Sequence, residues 1–482
     1  MNFNEIDNLI KIGQAAKALK VLRPYVLQPR PRSQKNDLLN AARLCRRSGW
    51  PEGGLRLLNR YVRPSLSKVT SASPEEKIEY AASLIALGLI SEGRELLSQI
   101  KSKEQSSHFL TLGVSYFSEW DYASAIPYLR NYVSAKGIND YQRLIGQVNL
   151  LAALVMIREF DEAFALLENL KVQCESEKNF LLLGNLFEIE TQAHVQIKNY
   201  KKAHECIVRS EDLLSQHTNI DKTFTLKWKA IVAALNKGWS RSTQAQLLQV
   251  KKLAMQKNHW ETIRDCDFYI CKFSKKAPSH LYFGTPYKAY RERIESELNY
   301  TPAGPYIWKQ NAHAHPTIFD PNQSSKIKPG QKFFNLLKAL ASDFYRPHTV
   351  FTLFAQLNPG EYYNPISSPA SVHQILKRFR QWCEKENLPM RIQEVRSNYN
   401  LIFAKDFALK ISEQSESGQM TSSEIMKYRF RKGYADSVFS RKNLEEALNL
   451  SPRACNLLIA QWLEQKLIKK EGQARSTIYH WL

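Results

Sequence analysis

A short pattern recurs through the first half of this chain: a bulky residue, two polar or small ones, a small residue, then an apolar helical run. It begins at Trp50, Ile90, Trp120, Phe160 and Tyr200, with weaker copies around Gly13 and at Trp239. The small residues are Ala16, Gly53, Gly93, Ala123, Ala163, Ala203 and Ser242, separated by 37, 40, 30, 40, 40 and 39 positions. A small residue lets one helix of a pair approach its partner closely, and the bulky residue at the turn fills the gap between them. No such pair buries its apolar face alone, so neighbours must stack. The spacing therefore predicts an α-helical solenoid over residues 1–295.

The segment Leu112-Gly113-x-x-Tyr116, ahead of the Trp120 copy, resembles the first helix of the tetratricopeptide repeat. The periods near 40 are longer than that family's usual 34. The resemblance implies a solenoid that holds a protein or peptide partner, although such a fold does not by itself specify function. Beyond about residue 275 the pattern fades. Pro302, Pro305, Pro316, Pro321 and Pro329 then punctuate the chain, and proline cannot continue a helix. Residues 296–330 are expected to be a Pro-rich linker, with Tyr306, Ile307, Trp308, Ile318 and Phe319 docking on a neighbouring surface, and the two halves are expected to separate there.

The second half reads as two small α+β domains, at 331–411 and 420–482. In the first, Phe333, Phe334, Leu336, Leu337, Leu340 and Phe344 mark an amphipathic helix. A short helix ends at Asn358-Pro-Gly, and a third runs from Pro369 to about Glu386. Met390–Ala404 then alternates like a hairpin around Arg396. Three helices and a hairpin resemble the winged helix-turn-helix domains of bacterial transcription regulators. The resemblance makes the third helix a recognition helix, with Ser371, His373, Gln374, Lys377, Arg378 and Gln381 facing outward and Arg396 on the wing. The C-terminal segment resembles a second copy, with Arg453 and Asn456 outward on its helix and Lys469, Lys470 and Arg475 on its wing. The fold class is thus mainly α: a helical-hairpin solenoid followed by two winged-helix domains.

Charge adds a direction. The chain carries +22, divided as +4 over residues 1–220, +10 over 221–330 and +8 over 331–482. A basic second half favours a polyanionic partner. No phosphate loop, dinucleotide fingerprint, zinc-protease or nucleophile-elbow motif is present, so neither catalysis nor a cofactor is expected. The seven cysteines contain no C-x-x-C pair, as in reduced intracellular thiols, and His313 and His315 stand in a proline-rich stretch without partner ligands, so no metal is expected. There is neither a membrane-length apolar run nor a signal-peptide pattern at the start. These features favour a cytoplasmic, nucleoid-associated, DNA-binding transcriptional regulator, with double-stranded DNA on the winged helices and a protein or peptide on the solenoid. The alternative is a non-catalytic interaction scaffold whose winged helices bind protein.

Overall fold

The structure, a computed structural model, describes residues 2–11, 14–27, 35–63, 72–100, 106–215, 222–310, 315–328, 330–412, 430, 438–448, 452–464, 467–472 and 477–481. It forms two compact units, residues 1–354 with 363–415, and residues 355–362 with 416–482. Among the described residues no helix is long and apolar enough to cross a membrane.

Helical pairs build the first unit. They are α1 (Phe3–Lys11) with α2 (Ala15–Leu27), α3 (Lys35–Arg47) with α4 (Pro51–Val62), α5 (Pro74–Ala86) with α6 (Ile90–Ser98), and α7 (Ser106–Phe117) with α8 (Tyr122–Val133). Next come α9 (Asp140–Ile157) with α10 (Phe160–Ser176), α11 (Phe180–Gln196) with α12 (Tyr200–Ser215), and α13 (Thr223–Lys237) with α14 (Arg241–Lys257). The series ends with α15 (Trp260–Ser274), the short α16 (Ser279–Phe283) and α17 (Lys288–Leu298). The repeating pattern marks where the second helix of each pair begins, because its bulky residue lies at or just before that helix's first turn.

The small residues work as the spacing predicts at Gly53, Gly93, Ala163 and Ala203, all buried. A Cβ at Gly93 would lie 2.7 Å from Ile85 Cγ1. At the other copies the register slips: Ala16, Ala123 and Ser242 are exposed, and Ala18, Ala125 and Thr243 are buried in their place. Capping boxes at Ser73, Asn139 and Ser240 start α5, α9 and α14 and satisfy N–H groups the helices leave unpaired.

The array coils back on itself. Trp120, at the α7–α8 turn, donates its indole N–H to Glu261 Oε2 on α15 at 2.8 Å and stands edge-on to Tyr290 of α17 at 4.5 Å. Its backbone sits at φ 62°, the left-handed conformation that ends a helix and that Arg158, Lys198 and Asn258 also adopt at later helix ends. Arg158 meets Glu297 at 3.1 Å alongside.

Residues 296–330 differ from the expected linker. They supply β1 (Tyr306–Trp308) and β2 (Thr317–Phe319), which flank β6 (Phe407–Ile411), antiparallel and parallel respectively. Pro305, Pro316 and Pro321 border these strands, where proline is tolerated. Trp308 stacks on Phe344 at 4.0 Å and Tyr306 on Phe283 at 5.3 Å, so these two aromatics dock as expected.

The first winged helix follows in the order α18 (Lys332–Leu340), β3 (His348–Thr349), α19 (Val350–Leu357), α20 (Ser368–Lys385), β4 (Met390–Val395) and β5 (Asn398–Phe403), with sheet order β3-β5-β4. Arg396 and Ser397, both at positive φ, form the two-residue hairpin turn, a geometry that matches the twist of the strands. This domain is fastened to the solenoid. The guanidinium of Arg264, fully buried on α15, bonds both oxygens of Asp343 at 2.9 and 3.0 Å and Glu261 at 2.7 Å. Tyr345 donates to Asp267 at 3.0 Å, and the Tyr363 N–H donates to Glu92 of α6 at 2.9 Å.

The second unit contains α21 (Arg441–Leu448), α22 (Pro452–Glu464) and the antiparallel pair β7 (Ile468–Glu471) and β8 (Ile478–Trp481). Phe430, Phe439, Leu444, Cys455, Ile459 and Trp462 form its core.

Two outcomes follow. Asp343→Ala removes the bidentate one of the two carboxylates that partner a buried guanidinium, which should cost about 3–5 kcal/mol in urea unfolding, whereas Arg264→Met with Asp343→Leu should cost less. Glu92 supplies a pH signature. Burial pushes its carboxyl from 4.5 up to about 7, against the Tyr363 N–H and Arg63. The folded state therefore holds this proton more tightly than the unfolded chain. The stabilisation is complete below pH 4.5 and is lost as pH rises through about 7. Urea midpoints of the native chain should fall across that window, and those of Glu92→Gln should fall less; parallel curves would remove Glu92 as the cause.

Candidate ligand-binding cavity of the solenoid

Because the array coils back, the first helices of successive pairs face a shared space. Glu188, Gln192 and Gln196 stand at four-residue intervals on α11, one helical face. Glu261, Asp265 and Tyr269 repeat that spacing on α15, Phe224 and Trp228 stand four apart on α13, and Arg293 and Glu297 do so on α17. Trp120 and Arg346 complete the wall of a cavity of about 850 Å³. That volume falls within the range of small-ligand and peptide side-chain pockets, ~300–1,000 Å³. Another hollow of about 970 Å³ lies between α6, α7 and α8, where Arg94 lies over the ring of Tyr116, itself stacked on Tyr128.

The cavity wall mixes aromatic rings with charged groups, several of which pair with one another. Lys227 Nζ lies 2.8 Å from Asp265 Oδ2, both side chains buried. Burial opposes both charges, yet each overcomes it for the other: Lys227 is held above its ordinary pKa, and Asp265 below its own with the help of Arg293. Arg293 also bonds Glu297 at 3.1 Å. Glu188 is different. Burial raises its pKa against the pull of Lys227, and it forms no ion pair among the described residues. Trp120, Phe224, Trp228, Tyr269 and Tyr287 supply rings between the charges. Such a wall offers apolar faces for side chains and fixed donors and acceptors for a backbone.

None of the residues expected to touch DNA lines this cavity. Ser371, His373, Gln374, Lys377, Arg378 and Gln381 share the exposed face of α20, opposite buried Val372, Leu376, Phe379 and Cys383. Arg396 is exposed in the β4–β5 turn. In the second unit Asn456, Lys469 and Lys470 are exposed, whereas Arg475 and the side chain of Arg453 lie outside the described residues. The cavity itself was missed because its residues come from several helices far apart in sequence, from Phe117 to Arg346. The available signal was the four-residue recurrence of polar and aromatic residues on the first helix of each pair.

No protein-family model matches the chain, and no curated protein does. Among solved structures it is similar to a Rap protein complexed with Competence and Sporulation Factor, at 12% identity and TM-score 0.42, covering 61% of this chain and 85% of that one. It is also similar to the apo form of RapI, at 14% identity and TM-score 0.37, with the same coverage. The expectation of a DNA-binding transcriptional regulator with double-stranded DNA as partner is corrected here: the two solved structures just named are a Rap protein in complex with Competence and Sporulation Factor and RapI. The misreading has a physical source. A basic chain with an exposed polar helix face is also what a protein-contact domain presents, and here the turn leading into α20 is held against α6 through Tyr363 and Glu92.

Proposed function

We propose that this chain is a non-catalytic, cytoplasmic interaction scaffold whose solenoid takes a peptide or an extended protein segment into the cavity between α11, α13, α15 and α17. The observation that carries this reading is the closure through Trp120, Glu261 and Tyr290, which turns the inner helix faces into a walled cavity. An extended segment has unpaired backbone N–H and C=O groups, and Gln192, Gln196 and the paired charges around them are suited to meet these. The aromatic rings suit its apolar side chains. The first winged helix is a protein-contact module already engaged by its own solenoid, through Asp343 and Tyr363.

Selection of a random peptide library on the full chain tests this. Peptides recovered should bind Gln192→Trp, which fills the cavity from a half-exposed position, about tenfold or more weakly, equivalent to ~1.4 kcal/mol. His373→Ala, on the exposed face of α20, should leave their affinity unchanged. Equal binding to the native chain and to Gln192→Trp, with the melting curve intact, would place the peptides elsewhere.

A further inference from the structure

On α11, two residues from each cavity-facing position and so on the opposite side of the helix, stand Glu190 and His194. They are four residues apart, the spacing that lets two side chains reach one point beside a helix. Cys206 of α12 faces them. The ligand-capable oxygen, nitrogen and sulfur atoms of the three all lie within 4.8 Å of one another. Their exposures are 3%, 9% and 2%, so the cluster sits inside the pair of helices. The frame around it is tight. Gly184 admits Leu214 so closely that an added Cβ would lie 2.7 Å from it, and Ser210 Oγ donates to the Gly184 carbonyl at 2.8 Å.

From this cluster we infer a binding site for a thiophilic divalent cation of the zinc type, with Glu190, His194 and Cys206 as ligands. One carboxylate, one imidazole and one thiolate form a donor set that zinc and cobalt accept, whereas magnesium and calcium prefer oxygen alone. Ligand bonds of about 2.0–2.3 Å place tetrahedral donors about 3.3–3.8 Å apart, so closing on an ion needs side-chain shifts of about 1 Å. His194 Nε2 lies 3.6 Å from Glu190 Oε1, and its Nδ1 is buried with no hydrogen-bond partner, which leaves the ring with unused capacity. Glu190 is bonded by Lys171 at 3.1 and 3.2 Å, a cation in the place an ion would contest. Lys171 already has a second carboxylate, Glu168, at 2.8 Å, and keeps that partner when Glu190 turns to the metal. Binding forms the metal–sulfur bond and releases the Cys206 thiol proton to solvent. Three protein ligands leave the fourth tetrahedral position to water. The site lies outside the cavity and stands whether or not a peptide binds there.

Cobalt(II) titrated into the metal-stripped full chain tests the inference. The expected result is uptake of one ion per chain, with a thiolate-to-cobalt charge-transfer band in the near ultraviolet and displacement by zinc. Cys206→Ser should abolish that band, and Cys271→Ser, at a partly exposed cysteine, should leave it intact. His194→Gln should weaken uptake by about tenfold or more, at least the cost of losing an outer partner of a metal ligand. Lys171→Met should tighten uptake, an effect that a purely structural Lys–Glu contact would not give. Absence of the band in the native chain, or its survival in Cys206→Ser, would overturn the site. If Cys206→Ser does not fold, uptake unchanged in both His194→Gln and Lys171→Met would overturn it equally.

Discussion

A single buried guanidinium ties together three parts of the first unit. Arg264 reaches Glu261, which in turn accepts the Trp120 indole from four helical pairs earlier, and it grips Asp343 at the entry to the winged helix. Asp343 Oδ1 also accepts from the N–H groups of Tyr345 and Arg346. Tyr287, Tyr290 and Tyr345 surround the guanidinium at 4.9–5.7 Å from their ring centroids. Removing a charge from water is costly, and the cost is offset here only because carboxylates and aromatic faces meet the planar group together. A lysine would offer a point charge and could not bridge these partners in the same way.

The same residues decide where a ligand can be held. Glu261 belongs to the cavity wall, and Arg346, whose backbone N–H is held by Asp343, completes it. The wall is therefore continuous with the attachment of the winged helix. The ion pairs Lys227–Asp265 and Arg293–Glu297 neutralise part of the charge on this wall before any guest arrives. Recognition there falls to shape, ring faces and amide side chains.

Local features were legible in the sequence, and long-range ones were not. The recurring small residues located the second helix of each pair, since close helix approach leaves a compositional mark. They misplaced the buried position at Ala16, Ala123 and Ser242, because a one- or two-residue slip in register leaves the pattern itself unchanged. The winged-helix order was readable from Phe333 to Phe403 because its helices and hairpin are local. The strands at 306–308 and 317–319 were hidden, because their partner, β6, lies about 90 to 105 residues onward and proline at a strand border looks the same as proline in a linker. The polar face of α20 was placed correctly as exposed, but exposure does not name a partner. Glu190 and His194 carry readable helical spacing, whereas the approach of Cys206 depends on how α12 packs on α11.

An open solenoid is quasi-one-dimensional: each repeat contacts its neighbours only, and units can be added or lost with local consequences. The bond from Trp120 to Glu261 removes that freedom, since it joins positions 141 residues apart. Inserting or deleting one helical pair between them would carry the two partners out of reach, and the cavity would open. The number of repeats in this segment is therefore set by geometry. Change within it must proceed by substitution rather than by duplication, and its pairs should unfold together rather than fray one after another.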